Sequence, residues 1–406
     1  MKHLYEKIKN INYINVNNWW QQCENLFINS NIRSQGNCIL ISQFDGIGDA
    51  ILISGVIKEI KNHYNLPIII ACNDFAASIF KINPYIDKVI TIKPIDIKLD
   101  KNLNIFKYLI DKIYNELWAN NFFIKEAFHF QCFELNHVAM LFNYLSGAKK
   151  KISFNEYSIN KNELTDKEQN ILKENINIYT ELFTTNVYQF PRNITHMVDR
   201  HYYLLEQYLN KTFIHDSYIY PQPTNITKYI NKDKKNIIVS LGGSLKSKQY
   251  PPKQLNQFLS KINNENIILI GGEDTNTKDI TYNCIDLVGK TSLIESIDLI
   301  NNCDLYIGND SGMTHIAAAC KKPCIVFYKE SIDSYEYFPE RLSSYLQFKP
   351  YNTLSVCLRP EKRLNPCNKK AYVYNGCLSN NQYHCIRQIR IEEIEKAYNE
   401  LMNLVY

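Results

Sequence analysis

From residue 38 onward, short apolar runs alternate with longer stretches in which apolar positions recur every three or four residues. CILIS (38–42) precedes a helical pattern at 49–64, PIIIAC (67–72) precedes another at 74–82, and KVITI (88–92) follows. A uniformly apolar run of this length fits a strand covered on both faces, and strand–helix alternation predicts a parallel sheet flanked by helices. Helical spacing returns at 103–118, 134–145 and 196–209, with a further strand expected at 127–131. A second series runs through NIIVSL (236–241), a helix at 252–261, NIILIGG (266–272), CIDLVG (284–289), a helix at 293–301, DLYIG (304–308), a helix at 312–320 and PCIVFY (323–328). The pattern predicts an α/β chain of two Rossmann-like domains, at 37–214 and 236–385, joined by a linker at 215–235 rich in Pro, Asn, Thr and Lys. Residues 1–36, with Trp19 and Trp20 in a weak helical pattern, read as an amino-terminal extension. Residues 386–406 read as a carboxyl-terminal helix packing near the first domain.

Composition narrows the class. The 406 residues favour more than one core, and 45% hydrophobic with 21% charged residues is ordinary for a globular protein. The net charge of +5 is scattered. Its short clusters, Lys149–Lys151 and Lys232 with Lys234 and Lys235, read as solvated faces and fall short of the basic stripe that nucleic acid requires. Residues 1–10 lack the apolar core of a secretory signal, and no run approaches the ~18 apolar residues that span a bilayer. The expectation is a cytoplasmic protein, compatible with peripheral contact on the cytoplasmic face of the inner membrane. The twelve cysteines are then thiols. Cys23, Cys38, Cys72 and Cys132 are dispersed. Cys357, Cys367, Cys377 and Cys385 are spaced too widely for the close pairs of common zinc sites, so they read as packing thiols, with a zinc-bearing module as the alternative.

Four constellations carry chemistry. In SQFDGIGDAILISG (42–55), Gly46 and Gly48 separate a strand from a helix that Asp49 begins, at the strand end where open parallel sheets bind ligands. Ile51 breaks the G-x-G-x-x-G dinucleotide pattern, and Asp45 is the competing carboxylate. In YIGNDSGMTHIAAAC (306–320), a strand ending in Asn309 and Asp310 opens into a helix. Backbone amides over Ser311, Gly312, Met313 and Thr314, with the helix dipole, suit a diphosphate, and His315 follows in the first turn. SLGGSLKSKQYPPKQL (240–255) carries Ser244, Lys246 and Lys248 ahead of Pro251 and Pro252. A lysine there can neutralise charge on a departing nucleotide diphosphate, and Ser244 can add a hydrogen bond. In LIGGEDTN (269–276), Glu273 is placed to accept hydrogen bonds from a ribose, with Asp274 as its neighbour.

These motifs, in this order, resemble glycosyltransferase family nine, the heptosyltransferases of lipopolysaccharide inner core. The resemblance covers roughly 38–400, weakly between 93 and 190, and is densest over 288–328. It implies a GT-B fold whose two parallel sheets face a central cleft, with the acceptor on the first domain and the donor on the second. It also implies Asp49 as general base, Lys248 as a phosphate contact, Glu273 as the ribose ligand, and Asp310 and His315 as donor-site residues. No metal or cofactor is implied beyond the nucleotide-sugar donor. Asp45 and Gly46 stand where family members often carry small hydroxyl residues, and with Gly48 they are the acceptor-side candidates. Other readings are a GT-B transferase using a different nucleotide sugar and a non-catalytic protein that binds sugar nucleotides or glycans.

Overall fold

The computed structural model describes residues 1–11, 16–93, 103–130, 137–154, 182–189, 191, 193–243, 245–262, 264–336, 343–364 and 385–405. Ser244, Cys132, Cys367, Cys377 and residues 131 and 134–136 of the predicted elements lie outside the described residues. The chain divides into two compact units. The first comprises Met1–Gly46, Gly55–Pro191 and Arg200–Ile214, and the second Ile47–Ser54, Arg192–Asp199 and His215–Tyr406.

In the first unit, β1 (Cys38–Gln43), β2 (Ile68–Cys72), β3 (Lys88–Thr91), β4 (Ile124–His129), β5 (Lys150–Phe154) and β6 (Asn186–Tyr188) form a parallel sheet of order β3-β2-β1-β4-β5-β6. Strand order reverses between β1 and β4, so the turn after β1 sits at the switch point where such sheets bind ligands. β1 is buried along its whole length, Ser42 and Gln43 included. The helices of this part of the chain are α1 (Lys2–Lys9), α2 (Val16–Ile28), α3 (Ile47–Leu52), α4 (Ser54–Tyr64), α5 (Ala77–Lys81), α6 (Leu103–Glu116), α7 (His137–Leu145) and α8 (Met197–Leu209).

The pattern at 49–64 predicted one helix, and the chain forms two, α3 and α4. Ser54 Oγ donates to the Ile51 carbonyl at 2.6 Å and accepts from Tyr218 N–H at 2.6 Å, a side-chain competition with the backbone that interrupts the ladder at Ile53. The amino-terminal 36 residues are no appendage. Leu4, Ile8, Trp19, Cys23 and Phe27 join the core that also takes Leu40 and Ile69 from the sheet and Phe106, Leu109 and Ile113 from α6. Trp19 packs on Phe106 with ring centroids 4.4 Å apart. Truncating Trp19 or Phe27 to alanine would cost about 3–5 kcal/mol on the usual scale for core aromatics. The lysine cluster at 149–151 also departs from expectation, because β5 carries Lys151 inward to 4% exposure.

In the second unit, β7 (Asn236–Ser240), β8 (Asn266–Ile270), β9 (Ile285–Asp286), β10 (Leu305–Asn309), β11 (Cys324–Phe327) and β12 (Ser355–Leu358) form a parallel sheet of order β12-β11-β10-β7-β8-β9. Its helices are α9 (Pro252–Leu259), α10 (Leu293–Asn301), α11 (Gly312–Ala319), α12 (Ser344–Phe348) and α13 (Ile391–Val405). The strand predicted at 284–289 shortens to β9 because Asp286 Oδ1 accepts from Val288 N–H at 2.9 Å, an Asx turn that ends the ladder. Residues 215–235 are packed rather than free: Thr224 donates both its N–H and its hydroxyl to Asp298 Oδ2 on α10, at 2.6 and 2.7 Å. α13 corrects the expectation that it packs near the first domain. Its apolar face, Ile394, Ala397 and Leu401, lies in one core with Ile237 and Val239 of β7 and Leu255 and Phe258 of α9.

Candidate active site

β10 ends at Asn309, and Asp310 and Ser311 carry the chain into α11. Ser311 is extended, with φ −153° and ψ 171°, as a residue preceding a helix should be. The first amides of a helix have no intrahelical acceptor and attract anions. Thr314, expected among the donor contacts, is committed elsewhere: its N–H turns back to the Ser311 carbonyl at 3.1 Å and its hydroxyl donates to the Asn309 carbonyl at 2.7 Å. Gly312 and Met313 precede it as the first two residues of α11, whose amides a helix start leaves without an intrahelical acceptor. Beneath it, the fully buried Tyr306 hydroxyl lies 3.3 Å from Thr314 Oγ1.

The loop after β7 brings Lys248 to this strand end. Lys248 Nζ lies 2.7 Å from Asp310 Oδ2, with side-chain exposures of 17% and 5%. Lys248 belongs to a short 3-10 turn, Lys246–Lys248, and Tyr250 just beyond it is buried. Tyr250 stacks on Phe327 at 4.3 Å, and its hydroxyl donates to the Ile389 carbonyl at 2.8 Å. The aromatic of the Tyr-Pro pair is therefore the anchor that seats the lysine loop in the core of the unit.

His315 is one helical step further along α11 and 5% exposed. Burial pulls its pKa down to about 4; Asp310 opposes that shift, and His196 and Lys248 add to it, so the imidazole is neutral at pH 7. Its ring meets Phe348 edge to face.

α3 belongs to the same unit and packs on the start of α11. A Cβ placed on Gly48 would fall 2.7 Å from His315 Cδ2 and 3.5 Å from Gly312 Cα, while one on Gly312 would fall 3.0 Å from Ile47 Cβ. Two glycines thus let two helix starts touch, and Asp49, half-buried, follows directly on Gly48. The structure brings Gly48, Gly312, His315, Lys248 and Asp310 into one cluster, with Asp49 beside it in sequence.

The turn after β1, in the first unit, is held separately. Gln43 Nε2 donates to Asp45 Oδ2 at 2.9 Å, and Asn73 Nδ2 donates to the carbonyls of Phe44 and Asp45 at 2.6 and 2.7 Å. Asp45 is half-buried and Gly46 exposed. Glu273 is exposed on the loop after β8, its Cγ 3.2 Å from where a Gly289 Cβ would stand; Gly289 itself has φ +69°, a conformation that favours glycine. Sequence reasoning singled out no role for Asn309, Tyr250, His196 or Phe348. Asn309 carried a signal as the start of the Asn-Asp-Ser-Gly strand end, and Tyr250 as the aromatic of the Tyr-Pro pair that belongs to the family resemblance. Among the described residues, no group of three or more His, Cys, Asp or Glu side chains is arranged to hold a metal, and no helix is long and apolar enough to cross a membrane.

The sequence model of Glycosyltransferase family 9 (heptosyltransferase) matches residues 141–375. Lipopolysaccharide heptosyltransferase 1 of Campylobacter coli is 25% identical over 304 residues, 71% of this chain and 83% of that protein. Lipooligosaccharide heptosyltransferase 2 of Haemophilus influenzae is 48% identical over 52 residues, 13% of this chain and only 15% of that protein's length. Among solved structures, a family 9 glycosyl transferase of Veillonella parvula superposes with a TM-score of 0.68 at 15% identity, over 92% of this chain and all of that one. E. coli heptosyltransferase WaaC, solved with ADP-2-deoxy-2-fluoro heptose, gives 0.59 at 12% identity over 89% and 99% of the two chains. E. coli TibC, an iron-containing dodecameric glycosyltransferase, gives 0.50 at 10% identity over 91% and 77%. The two-sheet α/β architecture is thus the GT-B fold that the motifs implied. With a family match spanning more than half its length and the lysine–aspartate pair set at the mouth of α11, the chain belongs to glycosyltransferase family 9, the heptosyltransferase family.

Proposed function

We propose that this protein catalyses inverting, metal-independent transfer of a heptose from ADP-heptose to a lipopolysaccharide-core or related glycan acceptor. The observation that carries the reading is the 2.7 Å Lys248–Asp310 pair at the amino terminus of α11, whose first turn packs against Gly48, the residue before Asp49. The donor binds the second Rossmann-like unit and the acceptor the first, where Asp45 and Gly46 present the turn after β1.

In the proposed step, the Asp49 carboxylate takes the proton of an acceptor hydroxyl. That oxygen forms a bond to the anomeric carbon from the face opposite the diphosphate. The carbon–oxygen bond to the diphosphate breaks, its electron pair leaving on ADP, and configuration inverts in one displacement. Charge accumulating on the leaving group is met by Lys248, by the Gly312 and Met313 amides and by the helix dipole, all fixed before reaction. Neutral His315 can hydrogen-bond the donor without adding charge. Ser244 and Glu273 serve the phosphate and the ribose. The reaction belongs in the cytoplasm, and a glycolipid acceptor would bring the enzyme to the inner membrane surface.

The test is ADP release from ADP-heptose in the presence of EDTA, compared with GDP-, UDP- and CMP-linked sugars. Turnover with ADP-heptose alone, abolished in Asp49→Asn while ADP still binds, is the expected result. Preference for another nucleotide sugar overturns the heptose, and an active Asp49→Asn overturns the base. A resident metal is the competing reading, because TibC is iron-containing and Cys357 and Cys385 bracket Cys367 and Cys377 in this chain. One equivalent of iron or zinc in purified protein, lost together with activity on chelation, would replace the metal-independent reading.

A further inference from the structure

We infer that Asn309 is a positioning residue that sets Lys248 for its work on the leaving group. The inference deepens the proposed donor site. The Asn309 side chain is buried and spends each of its polar groups on one loop. Nδ2 donates to the carbonyls of Leu241 and Gly242 at 3.0 and 3.1 Å, and Oδ1 accepts from Tyr250 N–H at 2.9 Å. One amide therefore clamps both ends of the segment that carries Lys248.

Between those ends the loop is knit to itself. Lys248 N–H donates to the Leu245 carbonyl at 3.0 Å, Gln249 N–H to the Lys246 carbonyl at 3.3 Å, and Gln249 Nε2 to the Gly243 carbonyl at 3.2 Å. A loop clamped at its ends and bonded within moves as one piece, so the position of Lys248 is inherited from the clamp. The clamp is also next in sequence to Asp310, the carboxylate 2.7 Å from Lys248 Nζ. A short circuit closes: Asn309 to Asp310 by a peptide bond, Asp310 to Lys248 by charge, Lys248 to Tyr250 along the chain, and Tyr250 back to Asn309 by a hydrogen bond. An amide supplies both the donor and the acceptor that this corner uses. Aspartate would set a carboxylate oxygen against two carbonyl oxygens, and leucine would take the Asn309 partner from the buried Leu241 carbonyl and Tyr250 N–H and from the half-buried Gly242 carbonyl.

The experiment pairs hydrogen exchange with nucleotide binding. In Asn309→Asp, amides of the segment 241–250 should exchange faster while those of β7, β8 and β11 keep their rates. ADP affinity should fall about tenfold or more, the scale of a loop misplaced by a fraction of an ångström to an ångström. The same substitution placed in Lys248→Ala should cost less than about twofold further, because its route runs through the lysine. Unchanged exchange in 241–250, or losses that simply multiply across the two substitutions, overturns the inference. If Asn309→Asp melts as a whole, Asn309→Ser, whose hydroxyl can replace one of the three bonds, is read in the same way and should give intermediate exchange. If wild-type protein binds no ADP, the donor reading fails by itself, and the exchange data alone decide whether Asn309 holds the loop.

Discussion

Gly48→Ala is the substitution whose effect can be worked most closely from the structure. The added methyl would stand 2.7 Å from His315 Cδ2 and 3.4 Å from Nε2, about 0.7 Å inside ordinary contact at the nearer atom. His315 is 5% exposed and hemmed by Phe348, so the imidazole has little room to yield. Overpacking of this kind costs about 1–3 kcal/mol. Against it stands the helix preference of alanine over glycine, at most about 1 kcal/mol and less near a helix start. Gly48 has no left-handed backbone to forfeit, since no positive φ is recorded for it. The net expectation is a loss of roughly 0.5–2 kcal/mol. His315→Ala removes the atoms that clash while leaving Gly312 Cα at an ordinary 3.5 Å. In that background Gly48→Ala should turn neutral or stabilising by a few tenths of a kcal/mol. Urea denaturation of the four proteins of the cycle reads the sign directly. If Gly48→Ala destabilises equally in both backgrounds, the methyl meets something other than His315, and the contact between the two helix starts is wrong. ADP release measured on the same proteins should show Gly48→Ala lowering kcat more than the stability loss explains, because Asp49 moves with its neighbour.

Three further outcomes follow from charge. His315 has a folded pKa of about 4 against an ordinary 6.5, so the unfolded chain binds the extra proton between those values; stability should fall as pH drops through that window, and His315→Gln should flatten that part of the urea-midpoint profile. Lys151 is held down to about 8 from 10.5, chiefly by burial, with Arg33 adding and Glu24 opposing. The unfolded chain again binds more protons between the two values, so the stability of wild type relative to Lys151→Met should rise from pH 8 to 10.5. Lys248→Ala should slow ADP release by about 10²–10³-fold, as loss of one preorganised charge-stabilising group does. It also strands the Asp310 carboxylate, 5% exposed, so adding Asp310→Asn should recover stability but not rate, as thermal melting and turnover together would report.

Most of the sheet framework is legible because its inner strands carry runs of three or more consecutive apolar residues: Cys38–Gln43, Ile68–Cys72, Asn236–Ser240 and Cys324–Phe327 are buried throughout. The strands that escaped notice lie toward the sheet edges, where a short half-buried segment has no periodic pattern. Asn186–Tyr188 and Ser355–Leu358 are of this kind. Lys150–Phe154 escaped for another reason. It opens on two lysines, and nothing local says that Lys151 will be turned inward beside Glu24 and Arg33, residues from a segment read as an extension. Helix breaks are likewise tertiary, since Ser54 interrupts the 49–64 pattern while Tyr218 donates to its hydroxyl.

The candidate site divides along the same line. Residues that carry charge or sit at a strand-to-helix turn, Lys248, Asp310 and Gly312, can be named from sequence by their own chemistry, whereas His315 is named only through the family resemblance. Residues whose contribution is relational cannot. Asn309 reads as a polar end to a strand until its amide is found between Leu241, Gly242 and Tyr250. Gly48, an acceptor-side candidate in the sequence, is placed instead by its missing side chain, whose space His315 occupies within the second unit. A transfer site needs both kinds. A cation placed an ångström astray stabilises little, and the segment that carries Lys248 is bonded at both ends by a neutral amide, Asn309, that no charge-based reading of the chain would select.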